Sequence, residues 1–212
     1  MDITFKQTLN YTKGAGINKI GWVLHGTLGS YKGAVEWLLN GNRTPKSSAH
    51  FVIGRKEGEV TQLVKISDIA WHAGGISNPS ERAKKVLPKG KTGYLNPNTY
   101  FVGIEFAWGY DTDGDGDVDT NDGTLTLTDW QLRCATYIME NSGIPFNPDM
   151  VLSHQEITDY KGDKMDFAVQ QINAIFKKKQ EDQHQIPAVD KDKVLAEINT
   201  HLEAIKTLSK ML

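Results

Sequence analysis

The hydrophobic pattern along this chain changes period several times, and each change marks an element. Residues 20–24 (IGWVL) form an apolar run typical of a buried strand, and the run ends at His25. In YKGAVEWLLNG the apolar residues fall at 34, 35, 37, 38 and 39 ahead of Gly41, which predicts a short helix with a glycine stop. AHFVIGRKEGEVTQLV places two β-rich runs on either side of Lys56-Glu57-Gly58 and predicts a hairpin. TYFVGIEFAWG is near-continuously apolar except for Glu105, as expected of a central strand. LTDWQLRCATYIMENSG returns to a helical period. Thr128 and Gln131 form a capping box, Gly143 supplies the stop, and Trp130, Cys134, Tyr137 and Ile138 share the core face. Cys134 on that face reads as a small buried hydrophobe. DMVLSH predicts a short strand ending at His154, and FAVQQINAIFKKK a helix whose basic end suits the macrodipole. Strands interleaved with helices indicate an α/β fold, a mixed central sheet flanked by helices.

Residues 180–190 (QEDQHQIPAVD) are polar and contain a proline, which predicts a linker between a domain at 1–179 and a last helix at 191–212. In that helix Leu195, Ile198, Leu202, Ile205 and Leu212 follow a 3-4 spacing that Ser209 interrupts. The stripe is too short to define a coiled coil. Packing on the domain is the expected role, with self-association as the alternative.

Composition narrows the function. At 212 residues the chain can bury one sizeable core, and its 39% apolar and 24% charged residues are ordinary for a globular protein. A net charge of −2 argues against nucleic acid or an anionic membrane as partner. No stretch approaches the roughly 20 apolar residues of a membrane span. The N-terminus MDITFKQTLN lacks the apolar core of a secretory signal, so the expected location is the cytoplasm, or release by another route. A single cysteine excludes an internal disulfide.

The segment DTDGDGDVDTND, residues 111–122, concentrates negative charge that repels itself unless a cation sits inside it. Counted from Asp111, aspartates occupy positions 1, 3, 5, 7, 9 and 12, with Gly116 at 6 and Val118 at 8. This is the arrangement of an EF-hand-like calcium loop, with Asp111, Asp113, Asp115 and Asp122 as carboxylate ligands and Asp117 contributing its backbone carbonyl. A strand enters the loop and a capped helix leaves it, whereas a calcium sensor needs two helices that open as a pair. The Ca²⁺ is therefore expected to be structural.

His25 and His154 each follow an apolar strand, at a sheet edge where loops build sites. After His154 the segment SHQEITDYKGDKMDF offers Asp159, Asp163 and Asp166 with Lys161 and Lys164. Two imidazoles and a carboxylate are ligands that Zn²⁺ accepts, and three protein ligands leave a fourth position for water, the catalytic arrangement. A carboxylate in an apolar strand, as at Glu105, is costly unless paired or functional. His50 reads equally as a strand residue or as support for the site.

Five segments, VLHGT, SSAHFVIGRKEGEVTQLV, IAWHAG, VGIEF and SHQEI…KMDF, occur in the order found in the zinc-dependent N-acetylmuramoyl-L-alanine amidases. The chain resembles that superfamily, which includes phage lysis amidases and peptidoglycan recognition proteins, over about residues 18–178. The resemblance implies roles. His25 and His154 correspond to the two zinc histidines. The third ligand belongs to a Lys-x-Asp motif, here Lys164-Met165-Asp166 or Lys161-Gly162-Asp163; neither is followed by the family's proline. Asp166 directly precedes a helix that it could cap and is preferred, with Asp163 the alternative. Some members use the Glu of a GIE segment as the base, here Glu105. Others use a Tyr before the His of HF, a position held here by Ala49. Lys164 (or Lys161) is the expected oxyanion stabiliser. Trp71, His72 and His50 are the expected substrate-binding residues. The implied reaction is hydrolysis of the amide between N-acetylmuramic acid and L-alanine in peptidoglycan, during lysis of the wall or in cytoplasmic recycling. The alternative is a module of the same fold that binds peptidoglycan without cutting it.

Overall fold

The computed structural model describes residues 1–14, 16–27, 29–42, 44–107, 126–160, 165–184 and 191–209. Residues Met1–Phe176 form one compact unit and Lys177–Leu212 a second. The strands are β1 (Thr4–Phe5), β2 (Tyr11–Thr12), β3 (Gly21–Thr27), β4 (Phe51–Ile53), β5 (Val60–Gln62), β6 (Ile69–Ala70), β7 (Lys89–Gly90), β8 (Gly93–Tyr94), β9 (Phe101–Ala107) and β10 (Val151–Ser153). The helices are α1 (Tyr31–Leu39), α2 (Glu81–Val86), α3 (Pro97–Tyr100), α4 (Asp129–Asn141), α5 (His154–Ile157), α6 (Asp166–His184) and α7 (Lys191–Ser209).

Six strands make one sheet in the order β1-β5-β4-β9-β3-β10. Only the hairpin pair β4–β5 is antiparallel; the other neighbours run parallel. The central strands are covered on both faces, which explains their near-continuous apolar sequences. Alternation still decides what each face does. Trp22 and Leu24 of β3, Phe51 and Ile53 of β4, and Val102, Ile104 and Phe106 of β9 point to one side. There they pack with Cys134, Ile138 and Met139 of α4 and with Ala168, Ile172 and Phe176 of α6. Burial pushes the Cys134 thiol up to about 12, so it stays protonated and inert.

The opposite face carries two separate apolar clusters. Ala34, Val35 and Leu38 of α1 cover Val52 and Leu63. Ala83, Leu87 and Ile157 cover Val23, Phe101 and Leu152. His25, Gly103 and Glu105 share this face, on positions that alternate with the core residues of β3 and β9.

The predicted hairpin, the short helix α1 and the Thr128–Gln131 capping box of α4 form as read from the sequence; α1 is capped by Ser30 and ends with Asn40 as its C-cap rather than on a glycine stop. Two expectations are corrected. The strand at 20–24 does not end at His25, because β3 pairs with β9 over seven residues, through Thr27↔Ala107, and the ladder outruns the apolar run. Residues 180–184 are helical rather than linker, since α6 continues to His184. Lys, Gln and Glu are good helix formers, and Lys177 lies 3.9 Å from Glu181 one turn on. Residues 185–190 and the acidic segment 111–122 lie outside the described residues; the strand before that segment ends at Ala107 and the helix after it starts at Asp129. In α7, Leu195, Ile198, Leu202 and Ile205 are exposed. No described helix is long and apolar enough to cross a membrane.

Candidate active site

The parallel register of β3 and β9 sets His25 directly beside Glu105, on the same face of adjacent strands roughly 4.8 Å apart. His154 arrives from the next strand over. β10 ends at Ser153, which caps α5: its hydroxyl accepts from the Glu156 N–H, while the Glu156 carboxylate accepts from the Ser153 N–H at 2.9 Å. His154 is therefore the first residue of a helix and not the last of a strand, and the cap fixes where its side chain leaves the backbone. Arg82 holds the Glu156 carboxylate from below with two contacts, at 2.8 and 2.7 Å.

The result brings His25 Nδ1 to 2.9 Å from His154 Nδ1, with both residues buried. The other ring nitrogens settle the tautomers. His154 Nε2 lies 3.1 Å from the Ala73 carbonyl, which can only accept, so Nε2 carries the proton. His72 Nε2 likewise donates to the Phe101 carbonyl at 3.2 Å, leaving its Nδ1 to accept from His25 Nε2 at 3.0 Å. With the remote Nε2 atoms placed as donors, Nδ1 is the atom of each ring left to serve as a ligand, and the two Nδ1 atoms face each other.

The surrounding imidazoles are neutral. Burial depresses His50 to about 3, helped by the positive charge of Lys19. Burial also holds His72 well below its usual value, with His25 and His50 adding to the effect. Lys19, buried and donating to the Asn98 and Thr99 carbonyls, is itself lowered to about 8, chiefly by burial, with Asp68 acting against the shift.

A cleft of about 270 Å³ opens over this floor, lined by His25, His72, His154, Glu105, Ser48 and Trp37 among others. Glu105 is half-buried at its base, and Trp37 of α1, 62% exposed, stands at its edge.

Of the other expected residues that are described, His72 lines this cleft, whereas Asp166, His50 and Trp71 do not. Asp166 begins α6, is exposed, and lines a different cleft with Ser80, Arg82 and Glu156. Its carboxylate accepts from the Ser153 hydroxyl at 2.5 Å. The structure does not bring it to the histidine pair, because the helix start that made it a plausible cap also turns it towards Ser153. Among the described residues no group of three His, Cys, Asp or Glu side chains is placed to hold a metal. Asp163, Lys161 and Lys164 lie outside the described residues. His50 is fully buried: its Nδ1 accepts from the Gly103 N–H at 3.0 Å and its Nε2 donates to the Asp68 carbonyl at 3.2 Å, so its ring is tied to backbone rather than offered to a substrate. Trp71 donates its indole N–H to the Thr12 hydroxyl at 3.0 Å and is not among the residues lining the cleft. His72 does line the cleft, but both its ring nitrogens are engaged. Sequence reasoning missed Gly103, Asn98 and Trp37. Trp37 carried a usable signal, an aromatic beside the charged Glu36 near the outer edge of a short helix's apolar face.

The neutral state of His50 predicts a pH dependence. Its folded value is depressed below the unfolded value of about 6.5, so the unfolded chain binds the proton first as pH falls. Stability from this group is complete above about pH 6.5 and is lost progressively towards pH 3, at about 1.4 kcal/mol per pH unit. His50→Asn keeps an acceptor for the Gly103 N–H and takes up no proton. Its melting temperature, followed from pH 7 to 4, is expected to fall less steeply than that of the wild type.

A mixed sheet with a buried imidazole cluster and a carboxylate at the floor of one cleft defines the class: an α/β protein whose candidate chemistry lies on the face of its central strands. The chain belongs to the N-acetylmuramoyl-L-alanine amidase family, which it matches over residues 19–166. N-acetylmuramoyl-L-alanine amidase A of Achromobacter lyticus is 37% identical over 51 residues, 24% of this chain and 28% of that protein, so the match spans little more than a quarter of the relative. The crystal structure of AmpDh3 from Pseudomonas aeruginosa shares the fold, with a TM-score of 0.51 at 22% identity over 80% of this chain and 62% of that one.

Proposed function

We propose that the protein hydrolyses the amide bond between N-acetylmuramic acid and L-alanine in peptidoglycan, with Zn²⁺ as cofactor. The observation that carries this reading is the pair of Nδ1 atoms 2.9 Å apart, each with its remote nitrogen committed as a donor, beside Glu105. The donor set fits zinc. Tetrahedral ligands at 2.0–2.1 Å stand about 3.3 Å from each other, so the pair needs to open by only a few tenths of an ångström. His25 and His154 would hold the ion. Asp163 is the better third ligand, since Asp166 is engaged by Ser153 and faces the other cleft. When bound, zinc polarises the scissile carbonyl and acidifies a water.

The chain supplies the rest. Glu105 takes a proton from the attacking water and delivers it to the leaving amine of L-alanine. Lys164, or Lys161, offers its ammonium to the developing oxyanion. Trp37 provides an apolar wall for the substrate at the cleft edge. The products are a glycan strand and a free stem peptide, as in wall lysis of the phage type or in muropeptide recycling. Incubation with purified walls is expected to release stem peptides with a free L-alanine amine, detected by mass spectrometry. Binding to walls without any release supports the non-catalytic module instead.

Asp111–Asp122 we assign to a structural Ca²⁺ that ties the end of β9 to the start of α4. A site saturated a hundredfold above its dissociation constant stabilises by about 2.7 kcal/mol. Chelation is therefore expected to lower the melting temperature, and added Ca²⁺ to restore it. An unchanged melting curve, with no heat of Ca²⁺ binding, contradicts the assignment.

A further inference from the structure

We infer that one dipeptide, His72-Ala73, clamped by Asn98, sets the tautomers of both His25 and His154 and so leaves their facing Nδ1 atoms to serve as ligands. The inference deepens the proposed zinc site and rests on that reading. Consecutive residues serve the two histidines. The His72 Nδ1 faces His25 Nε2 at 3.0 Å, and the carbonyl of Ala73 faces His154 Nε2 at 3.1 Å. The two backbone N–H groups of this dipeptide donate to a single acceptor, the side-chain oxygen of Asn98, at 3.0 and 2.7 Å. Asn98 is buried and is held in turn by its own N–H to Asn96 Oδ1 and by Lys19 on its carbonyl. One amide thus fixes the backbone from which both supports project.

The His72 ring is positioned independently. Its Nε2 donates to the Phe101 carbonyl, so it can offer only a lone pair to His25. Gly103 leaves room for it: a Cβ there would meet His72 Cγ at 2.4 Å. A side chain aimed at substrate would not need its second nitrogen tied to the strand beneath it. His72 is a positioning residue. Partners of this kind fix ring orientation and ligand basicity, and their loss weakens metal binding about 10- to 100-fold.

The test compares two substitutions of equal polarity. In His72→Asn the amide oxygen falls where Nδ1 was and keeps the acceptor for His25. In His72→Gln the polar atoms fall near Nε2 and the acceptor is lost. Side-chain ¹⁵N shifts of the metal-free full-length protein are expected to report the Nε2–H tautomer of His25 in wild type and His72→Asn, and a mixture in His72→Gln. Zinc affinity by calorimetry should stay near wild type for the first and fall about 10- to 100-fold for the second. Asn98→Ala should mix the tautomers of both His25 and His154, whereas His72→Gln disturbs His25 alone. If Asn98→Ala does not fold, the His72 pair decides. Wild-type tautomers and affinity in His72→Gln overturn the inference. Wild-type protein with the stated tautomers but no zinc binding overturns the functional reading and leaves this one standing.

Discussion

Glu105→Gln is expected to retain bound zinc and the wild-type melting temperature while losing about 10²- to 10⁴-fold in turnover, the range for removal of a general base. Gln keeps the shape and a polar contact but cannot accept the proton of the attacking water. The position makes the effect specific. Glu105 is the register partner of His25 on β3 and of Val52 on β4, so it stands beside one proposed ligand on a central ladder. It is half-buried at the cleft base, where a carboxylate is retained only with a partner or a task. Stem-peptide release from purified walls measures the change. Turnover within a few-fold of wild type removes Glu105 from the mechanism.

The second large effect is expected from Gly103→Ala, a substitution of one methyl group that touches no substrate. Gly103 has no unusual backbone conformation to explain a glycine; what it provides is space. The added Cβ lies 2.4 Å from His72 Cγ, 2.7 Å from Cδ2 and 2.8 Å from Nδ1. The ring cannot retreat easily, because the His72 N–H is bonded to Asn98 and its Nε2 to Phe101. Overpacking of this kind costs about 1–3 kcal/mol. Here it also shifts the acceptor that serves His25, so the expected result is a lower melting temperature together with weaker zinc binding. Both are read from one preparation by calorimetry. A variant that keeps both properties shows that the imidazole cluster tolerates displacement and that its geometry is not tuned.

Much of this site was legible because sequence period reports faces. The alternation in VGIEF put Glu105 on a face of its own, and the endings of two apolar runs drew attention to His25 and His154. The cap at Thr128 and Gln131 and the hairpin around Gly58 follow from local chemistry and form as expected. What could not be read was lateral. His25 sits within β3 because β9 pairs with it through Thr27, a fact of register rather than of composition. The short pieces β1, β2, β6, β7 and β8, of two residues each, leave no periodic trace. Asp166 looked suitable as a ligand from its place before a helix, and that place gives it to Ser153. His72 lines the cleft as expected of a groove residue, but nothing in the sequence signals that its nitrogens face His25 and the Phe101 carbonyl. Gly103 and Asn98 are silent in a single sequence, since neither an absent side chain nor a neutral amide announces which backbone it accommodates.

A cation shared by His25 and His154 is the centre of the proposed chemistry, and anomalous scattering at the zinc absorption edge from a crystal of the protein tests for it directly. The predicted result is one strong peak within about 2.1 Å of both Nδ1 atoms, with a carboxylate from the segment after His154 as the third protein ligand. A zinc-soaked crystal with no peak there, or with a peak that excludes either histidine, contradicts it.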